Sequence, residues 1–133
     1  MLVCPTVDGT DVECDGASFG SALAVGDING DDFGDVLVGA PFASVDGVGS
    51  AGAVFLYPGN EDGVGEDGVV VLQSSSPQDG ARLGYSVTTI RGIDREEPVA
   101  GSPGTDAVNI FLCSGLDGDT PELGKRCQPP EAM

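Results

Sequence analysis

The sequence predicts an all-β fold from its turns, its short apolar runs and its lack of helical periodicity. Asp-Gly pairs favour the left-handed backbone of tight hairpin turns, and short runs rich in valine, leucine and alanine lie between them. No window repeats apolar residues at the roughly 3.6-residue spacing of an amphipathic helix. The Asp-Gly pairs begin at Asp8, Asp15, Asp46, Asp62, Asp67, Asp79 and Asp117.

The apolar runs are the predicted strands. In the first half of the chain they are residues 22–25, 36–38, 53–57 and 69–72; in the second half they are residues 85–90, 98–100 and 107–112. The run 69–72 is too short and too rich in β-branched valine to favour a helix. A further strand in the second half has one candidate, residues 122–127. The runs are continuous rather than alternating, which is typical of strands covered on both faces.

The chain contains an internal repeat with a period of about 60 residues, slightly longer than is usual for repeat proteins. Both copies begin with Asp-Gly-Ala and then place a glycine after Phe19 or Leu83. The matching segments are residues 15–23 with 79–87, 39–41 with 101–103, and 54–59 with 110–115.

Residues 27–35 of the first copy carry oxygen-bearing side chains at alternate positions. Asp27, Asn29, Asp31 and Asp35 have carboxylate or amide oxygens, and Phe33 has a backbone carbonyl at the remaining odd position. Calcium takes six to eight oxygen ligands at about 2.3–2.6 Å, and three converging carboxylates repel one another without a cation. The segment therefore predicts a Ca²⁺ site formed by these five residues.

The segments beside this loop carry a family resemblance. Phe19-Gly20 precedes the loop and Gly39-Ala-Pro41 follows it. This order resembles the FG-GAP repeat of integrin alpha subunits and related extracellular proteins, and the resemblance extends over roughly residues 15–115. It implies that each repeat is one four-stranded blade of a β-propeller, and that the calcium loop joins two neighbouring strands of its blade.

The resemblance also implies a division of the chain. Residues 1–14 are expected to be the outer strand of a preceding blade or an N-terminal strand, residues 15–78 the first repeat, and residues 79–133 a degenerate second repeat. Two blades cannot close a propeller of four to eight blades. The chain is therefore expected to be a fragment, to assemble with other copies, or to stand as a stapled pair. The expected fillers between blades are Phe19, Phe55, Tyr57, Leu83 and Phe111.

The second copy departs from the pattern at the calcium loop. Its counterpart, residues 91–97, is shorter, and Arg91 stands at the position of Asp27. A fixed positive charge opposes cation binding, so this copy is predicted to bind no calcium. Arg91 or Arg95 is expected to pair with nearby acids instead.

The charge of the chain excludes some partners. Five basic and 22 acidic residues give a formal net charge of −17, which opposes binding to nucleic acid and to anionic membranes. No apolar run approaches the ~18 residues of a membrane-spanning helix, so no membrane insertion is expected. The N-terminal residues lack the basic and apolar regions of a secretory signal.

The four cysteines favour an oxidising compartment. Cys4 with Cys14 and Cys113 with Cys127 each enclose a short, turn-rich segment, and secreted domains use such disulfides. The alternatives are free thiols or a metal cluster, although the chain has no Cys-x-x-Cys spacing and no histidine. Sequence alone does not fix the pairing.

These observations predict a calcium-stabilised extracellular or cell-surface module that mediates protein interaction or cell adhesion. Its partners would be an extracellular protein or glycan and other propeller blades of the same or another chain. By the resemblance, partner contacts come from loops opposite the cation loops, for which residues 42–51 and 60–67 are the candidates. The alternative is a non-catalytic propeller segment of a secreted hydrolase.

No enzymatic activity is expected, because the absence of histidine removes the usual Ser-His and Cys-His pairs. An EF-hand is disfavoured because its sixth loop position holds Asp32 instead of glycine, and its twelfth holds Val38 instead of glutamate.

Overall fold

The computed structural model describes residues 1–7, 10–65, 68–91 and 95–111. Within these ranges the chain forms β-strands and one short 3-10 turn, Pro103–Thr105, with no α-helix. The predicted all-β fold is therefore confirmed. The strands are β1 (Val12–Glu13), β2 (Ala22–Gly26), β3 (Asp35–Ala40), β4 (Ser44–Val45), β5 (Ala53–Tyr57), β6 (Gly59–Asn60), β7 (Gly63–Val64), β8 (Val70–Leu72), β9 (Ser86–Arg91), β10 (Glu96–Ser102) and β11 (Ala107–Ile110).

The first sheet is a four-stranded antiparallel sheet in the order β2-β3-β5-β8. It confirms the four strands predicted for the first half of the chain. β3 is longer than predicted because Asp35 pairs with Gly26 at one end and Ala40 pairs with Ala53 at the other. All five residues of β5 are buried, as expected for a central strand covered on both faces.

The second sheet is a three-stranded antiparallel sheet in the order β9-β10-β11. β10 begins at Glu96, earlier than predicted, because Glu96 pairs with Arg91 across the β9–β10 hairpin. The fourth strand proposed for residues 122–127 lies outside the described residues, as do the end of the strand predicted at 107–112 and the Cys113–Cys127 pair.

The two sheets pack against each other through an apolar core. Leu37, Leu56 and Leu72 of the first sheet pack with Ala100 of β10 and with Phe111, which directly follows β11. All five are buried. Leu83, which lies between the sheets in sequence, belongs to the same core. Leu83 and Phe111 therefore occupy the interior between sheets that the sequence analysis expected.

The N-terminal segment covers the opposite face of the first sheet. Cys4, Val12 and Cys14 pack against a core that includes the fully buried Phe55 and Tyr57. The predicted Cys4–Cys14 disulfide is present, with 6.0 Å between the Cα atoms. Phe19, Phe55 and Tyr57 thus fill a core beneath this segment rather than the space between the two sheets.

Phe19 is half-buried and meets both rings of this core edge to face, at centroid distances of 5.6 Å from Phe55 and 6.3 Å from Tyr57. β1 continues the cover by pairing with β4, in the register Val12 with Val45. Both faces of the inner strands β3 and β5 are therefore packed, one by the second sheet and one by the N-terminal segment, whereas Leu23 and Val25 of the edge strand β2 are exposed.

The turn that precedes each sheet is repeated in its backbone hydrogen bonds. The amide of Phe42 donates to the carbonyl of Ala17 at 3.1 Å, and the amide of Gly104 donates to the carbonyl of Ala81 at 3.0 Å. Ser18 and Arg82, at equivalent positions, both have positive φ, 57° and 59°. The internal repeat found in the sequence is therefore also a repeat of backbone geometry. The exact division into residues 1–14, 15–78 and 79–133 stays a prediction.

Candidate metal centre

All five predicted ligand residues lie in or next to one hairpin loop. Residues 27–34 join β2 to β3, and Asp35 is the first residue of β3, paired with Gly26. Side-chain oxygens of the loop accept hydrogen bonds from its own amides, with no helical backbone in the segment. The loop therefore folds around its acidic side chains rather than extending them all into solvent.

Asp27 organises the first half of the loop. Its Oδ1 accepts hydrogen bonds from the amides of Gly30 at 2.9 Å and Asp31 at 3.1 Å, and its Oδ2 accepts one from Asp32 at 2.9 Å. One carboxylate thus fixes three consecutive peptide groups. The loop turns sharply here, since Gly30 and Asp32 have φ values of 75° and 68°.

Asn29 and Asp31 extend the same pattern. The Asn29 Oδ1 accepts from the Asp31 amide at 3.3 Å, and the Asp31 Oδ1 accepts from the Phe33 amide at 3.0 Å. Because Asp27 and Asn29 both bond the Asp31 amide, their oxygens are brought close together. The Phe33 side chain has no oxygen, so its backbone carbonyl is the group of this residue that could bind a hard cation.

Asp35 holds the loop from the interior. Its side chain is only 1% exposed. Its Oδ2 accepts hydrogen bonds from Ile28 at 2.8 Å and Asn29 at 3.4 Å, and its Oδ1 accepts from Gly59 at 2.8 Å. Asp35 therefore ties the loop to Gly59, the first residue of β6.

Burial is the largest influence on the pKa of Asp35 and raises it above the usual value of 3.8. The three backbone hydrogen bonds oppose this rise, and the negative charge of Asp31 adds to it. The net direction is upward, because taking a carboxylate out of water disfavours its charged form.

The donor chemistry fits a hard divalent cation, because the set combines carboxylate, amide and carbonyl oxygens without sulfur or nitrogen. Among the described residues, however, no three His, Cys, Asp or Glu side chains converge closely enough to form a metal cluster by themselves. The carboxylates are spaced around the loop and bonded to amides, so a cation would also need the oxygens of Asn29 and Phe33.

Sequence reasoning missed three residues at this centre. Glu96 of the second sheet accepts a hydrogen bond from the Asp27 amide at 2.9 Å. Gly26 lies beside that carboxylate, and a Cβ there would overlap it. Gly59 donates to Asp35. The sequence did contain a signal for Glu96, because residues 91–97 align with the loop. Gly59, the last residue of the repeated segment 54–59, had no comparable signal.

The strand order places the two candidate partner loops at different ends of the first sheet. Residues 42–51 follow β3 and lie opposite the 27–34 loop, as expected. Residues 60–65, the first part of the other candidate, follow β5 and lie at the same end as the acidic loop, where Gly59 bonds Asp35. For residues 60–65 the expected position on the opposite face was wrong, because connections in an antiparallel sheet alternate between its ends; residues 66 and 67 lie outside the described residues.

The second copy has a tighter connection at the corresponding position. Arg91 ends β9 and Glu96 begins β10, and the two residues pair across the hairpin; residues 92–94 lie outside the described residues. The Arg91 side chain is exposed. Its predicted pairing with acids, or that of Arg95, stays a prediction, as does the absence of calcium from this copy.

Comparison with known proteins agrees with the fold and the loop. The FG-GAP repeat family matches residues 19–57, which run from Phe19 through the acidic loop to the end of β5. Similar proteins include integrin alpha-8 of Homo sapiens, 31% identical over 132 residues, covering 86% of this chain and 12% of that protein. Integrin alpha-PS5 of Drosophila melanogaster is 36% identical over 104 residues, covering 72% of this chain and 10% of that protein.

Human integrin alpha-6 is 35% identical over 96 residues, covering 70% of this chain and 8% of that protein. The chain thus spans at most 12% of the length of these three relatives. In the described part of the chain, no helix has the length and apolar character needed to cross a bilayer. The family match and the relatives together identify the chain as carrying FG-GAP repeat sequence of the integrin alpha type.

Proposed function

We propose that the loop at residues 27–35 binds Ca²⁺ and that the chain is a calcium-stabilised extracellular FG-GAP module mediating protein interaction or cell adhesion. The observation that carries the proposal is the inward arrangement of the loop, in which Asp27, Asn29 and Asp31 turn their side-chain oxygens onto the loop backbone. An ion would neutralise negative charge that the folded loop holds together. The integrin alpha relatives support the adhesion class.

In this proposal Asp27, Asn29, Asp31 and Asp35 contribute side-chain oxygens and Phe33 contributes its carbonyl. The bound ion supplies positive charge and nothing more, because the role is structural rather than catalytic. Asp35 keeps the loop attached to the start of β6 through Gly59, and the Asp27 carboxylate keeps the first turn closed. Calcium would therefore stabilise the folded chain by a free energy that grows with the logarithm of its free concentration once that concentration exceeds the dissociation constant.

Two neighbouring acids provide a matched test. Asp31 is a predicted ligand, whereas Asp32 is exposed and is not. Asp31→Asn and Asp32→Asn remove the same charge from adjacent positions, and asparagine tolerates the positive φ of Asp32. In calorimetric titration with Ca²⁺, Asp31→Asn should weaken binding at least tenfold, while Asp32→Asn should bind nearly as the unsubstituted chain does.

Two results would overturn the calcium proposal. One is the absence of both heat and a melting shift when Ca²⁺ is added to the unsubstituted chain. The other is equal weakening by the two substitutions, since that would indicate general electrostatic attraction to an acidic surface rather than ligation.

For the interaction role, we propose residues 42–51 as the partner-contacting loop. It lies at the end of the sheet opposite the acidic loop, and its Phe42 side chain is 38% exposed. The partner class remains an extracellular protein or glycan. Phe42→Ser should weaken capture of the chain by immobilised extracellular-matrix proteins without lowering its melting temperature; unchanged capture would rule this loop out.

Other propeller blades are the second proposed partner. Ile90, Val108 and Ile110 lie on one face of the second sheet. On the central strand β10, Val99 pairs with Ile110 and Gly101 pairs with Val108. The exposed fractions of Ile90, Val108 and Ile110 are 46%, 70% and 43%. This face points away from the first sheet, because Ala100, on the other face, lies in the core between the sheets. Val108→Asp should therefore reduce any self-association measured by sedimentation velocity.

A further inference from the structure

Two hydrogen bonds connect the acidic loop to the second sheet. The amide of Asp27 donates to the Glu96 Oε2 at 2.9 Å, and the amide of Glu96 donates to the Asp27 carbonyl at 2.9 Å. The two residues are 69 positions apart in sequence. The second sheet therefore holds the first residue of the loop by its main chain, while the Asp27 side chain holds the loop itself.

The shortened loop of the second copy makes this contact feasible. Glu96 begins β10 and pairs with Arg91 at the end of β9, so the hairpin presents its first β10 residue to the neighbouring sheet. Gly26 is the other requirement. A Cβ at this position would overlap the Glu96 carboxylate and would lie 3.0 Å from the Thr89 Cγ2, so a larger residue would push the hairpin away.

The charge of Glu96 gives the contact a dependence on cations. Its carboxylate lies against a loop that already contains Asp27, Asp31 and Asp35, and like charges at short range repel. Without a cation, this repulsion opposes the close approach of the second sheet. With a divalent cation in the loop, two of these negative charges are compensated, so the repulsion of the Glu96 carboxylate is smaller.

We propose that Glu96 is a positioning residue that couples cation occupancy of the first copy's loop to the docking of the second sheet. The proposal rests on the calcium binding proposed above and adds a role for the second copy, which contributes a residue to its neighbour's site. Coupling of this kind is reciprocal. Calcium strengthens the contact between the sheets, and the contact strengthens calcium binding by the same factor.

Three variants test the coupling. Glu96→Ala removes the carboxylate, Glu96→Gln keeps an oxygen acceptor for the Asp27 amide without the charge, and Glu61→Ala is the control. Glu61 is exposed in the turn between β6 and β7, so its loss removes one negative charge from the same end of the first sheet. The measurements are calcium affinity by calorimetry and amide hydrogen exchange by NMR, each in calcium and in chelator.

The expected result is a calcium affinity about five- to tenfold weaker in Glu96→Ala, within the usual range of coupling between sites, and nearly unchanged in Glu61→Ala. In the unsubstituted chain, calcium should slow exchange of the amides in β9 and β10. Glu96→Ala should lose this effect while calcium still protects amides within the loop. Glu96→Gln should keep the slow exchange of the Asp27 amide but show reduced calcium affinity.

The outcomes separate the two proposals. If the unsubstituted chain binds no calcium, the proposed function fails and the coupling fails with it. If it binds calcium but Glu96→Ala keeps both the affinity and the calcium-dependent protection of β9 and β10, the coupling alone is overturned. Amide exchange in chelator also identifies a variant that has simply unfolded. In a folded variant the amides of β5, remote from Glu96, should remain protected, whereas an unfolded variant should lose this protection.

Discussion

The amide of Gly20 donates a hydrogen bond to the carbonyl of Gly39 at 3.0 Å, and Gly84 repeats this bond with Gly101 at 3.0 Å. In the first copy this bond joins the glycine of the Phe-Gly motif to the glycine of the Gly-Ala-Pro motif. In the second copy it joins the two glycines at the corresponding positions. Gly20 and Gly84 have φ values of 95° and 91°, which side chains with a Cβ rarely adopt. The two motifs are thus two halves of one backbone contact.

The first prediction concerns these glycines. Gly20→Ala should lower the free energy of unfolding by about 1–2 kcal/mol, because alanine is strained at positive φ. Gly84→Ala should lower it further, because its Cβ would also lie 2.7 Å from the carbonyl oxygen of Ala53. Urea unfolding measures both. Gly65→Ala is the control, since nothing lies within 4 Å of a Cβ there; equal effects at all three positions would contradict the argument.

The second prediction separates Asp35 from the other acids of the loop. Asp35→Ala should lower the free energy of unfolding by about 3 kcal/mol or more even in chelator, since it leaves the amides of Ile28 and Gly59 without their buried acceptor. Asp31→Ala should have a much smaller effect in chelator, because the Asp31 carboxylate accepts only from the exposed Phe33 amide. Denaturant unfolding in chelator distinguishes them, and similar losses would disprove the structural role of Asp35.

The third prediction is a pH dependence. The pKa of Asp35 is raised in the folded chain above 3.8, so protonation favours the folded state. The stabilising contribution is fully present below 3.8 and is lost as the pH rises through the folded value. In chelator, lowering the pH from neutral should therefore stabilise the unsubstituted chain relative to Asp35→Asn, which does not titrate at this position.

Calcium should reverse the pH trend, because cation ligands must be deprotonated to bind. With saturating calcium, the unsubstituted chain should lose stability as the pH falls. The melting temperatures of the unsubstituted chain and of Asp35→Asn should be measured from neutral pH down to about pH 4, near which carboxyl groups ordinarily titrate. The dependence of melting temperature on pH, with calcium and with chelator, gives the two trends. A chelated chain that loses stability relative to Asp35→Asn on acidification would contradict the assigned direction.

The fourth prediction concerns the N-terminal cover. Replacing Cys4 and Cys14 together by serine should lower the free energy of unfolding by about 3 kcal/mol, the entropic effect of closing a loop of this length. It should also loosen the contact between the Tyr57 hydroxyl and the Val3 carbonyl, 3.3 Å apart, with a rise in tyrosine exposure to quenchers. If the double substitution lowers the free energy of unfolding by the full amount but leaves tyrosine quenching unchanged, the disulfide acts on the unfolded chain alone.

Local patterns predicted much of the fold, whereas the ligand role of the loop residues stays a prediction. The strands of the first sheet follow from short apolar runs, and the loop residues from the spacing between Asp27 and Asp35. These features depend on neighbours within a few positions. The position of residues 60–65 at the same end as the acidic loop also follows from the strand count, since successive connections in an antiparallel sheet lie at alternate ends.

Long-range contacts were beyond the sequence argument. The alignment of residues 91–97 with the acidic loop does not by itself indicate that Glu96 reaches Asp27. No local pattern indicates that the segment closed by Cys4 and Cys14 covers Phe55. Both contacts depend on how separately predictable pieces pack in three dimensions. The aromatic residues were correctly expected in the interior, but their division between two cores required knowledge of which segment lies on each face of the first sheet.

The bonds of Asp35 to Ile28, Asn29 and Gly59 have a kinetic consequence. They fix the backbone at the base of the loop as part of the folded structure, so much of the entropic penalty of ordering that backbone belongs to folding rather than to cation binding. Preorganisation of this kind improves affinity without new contacts. An incoming ion would then be limited by the shedding of its own hydration water rather than by rearrangement of the polypeptide.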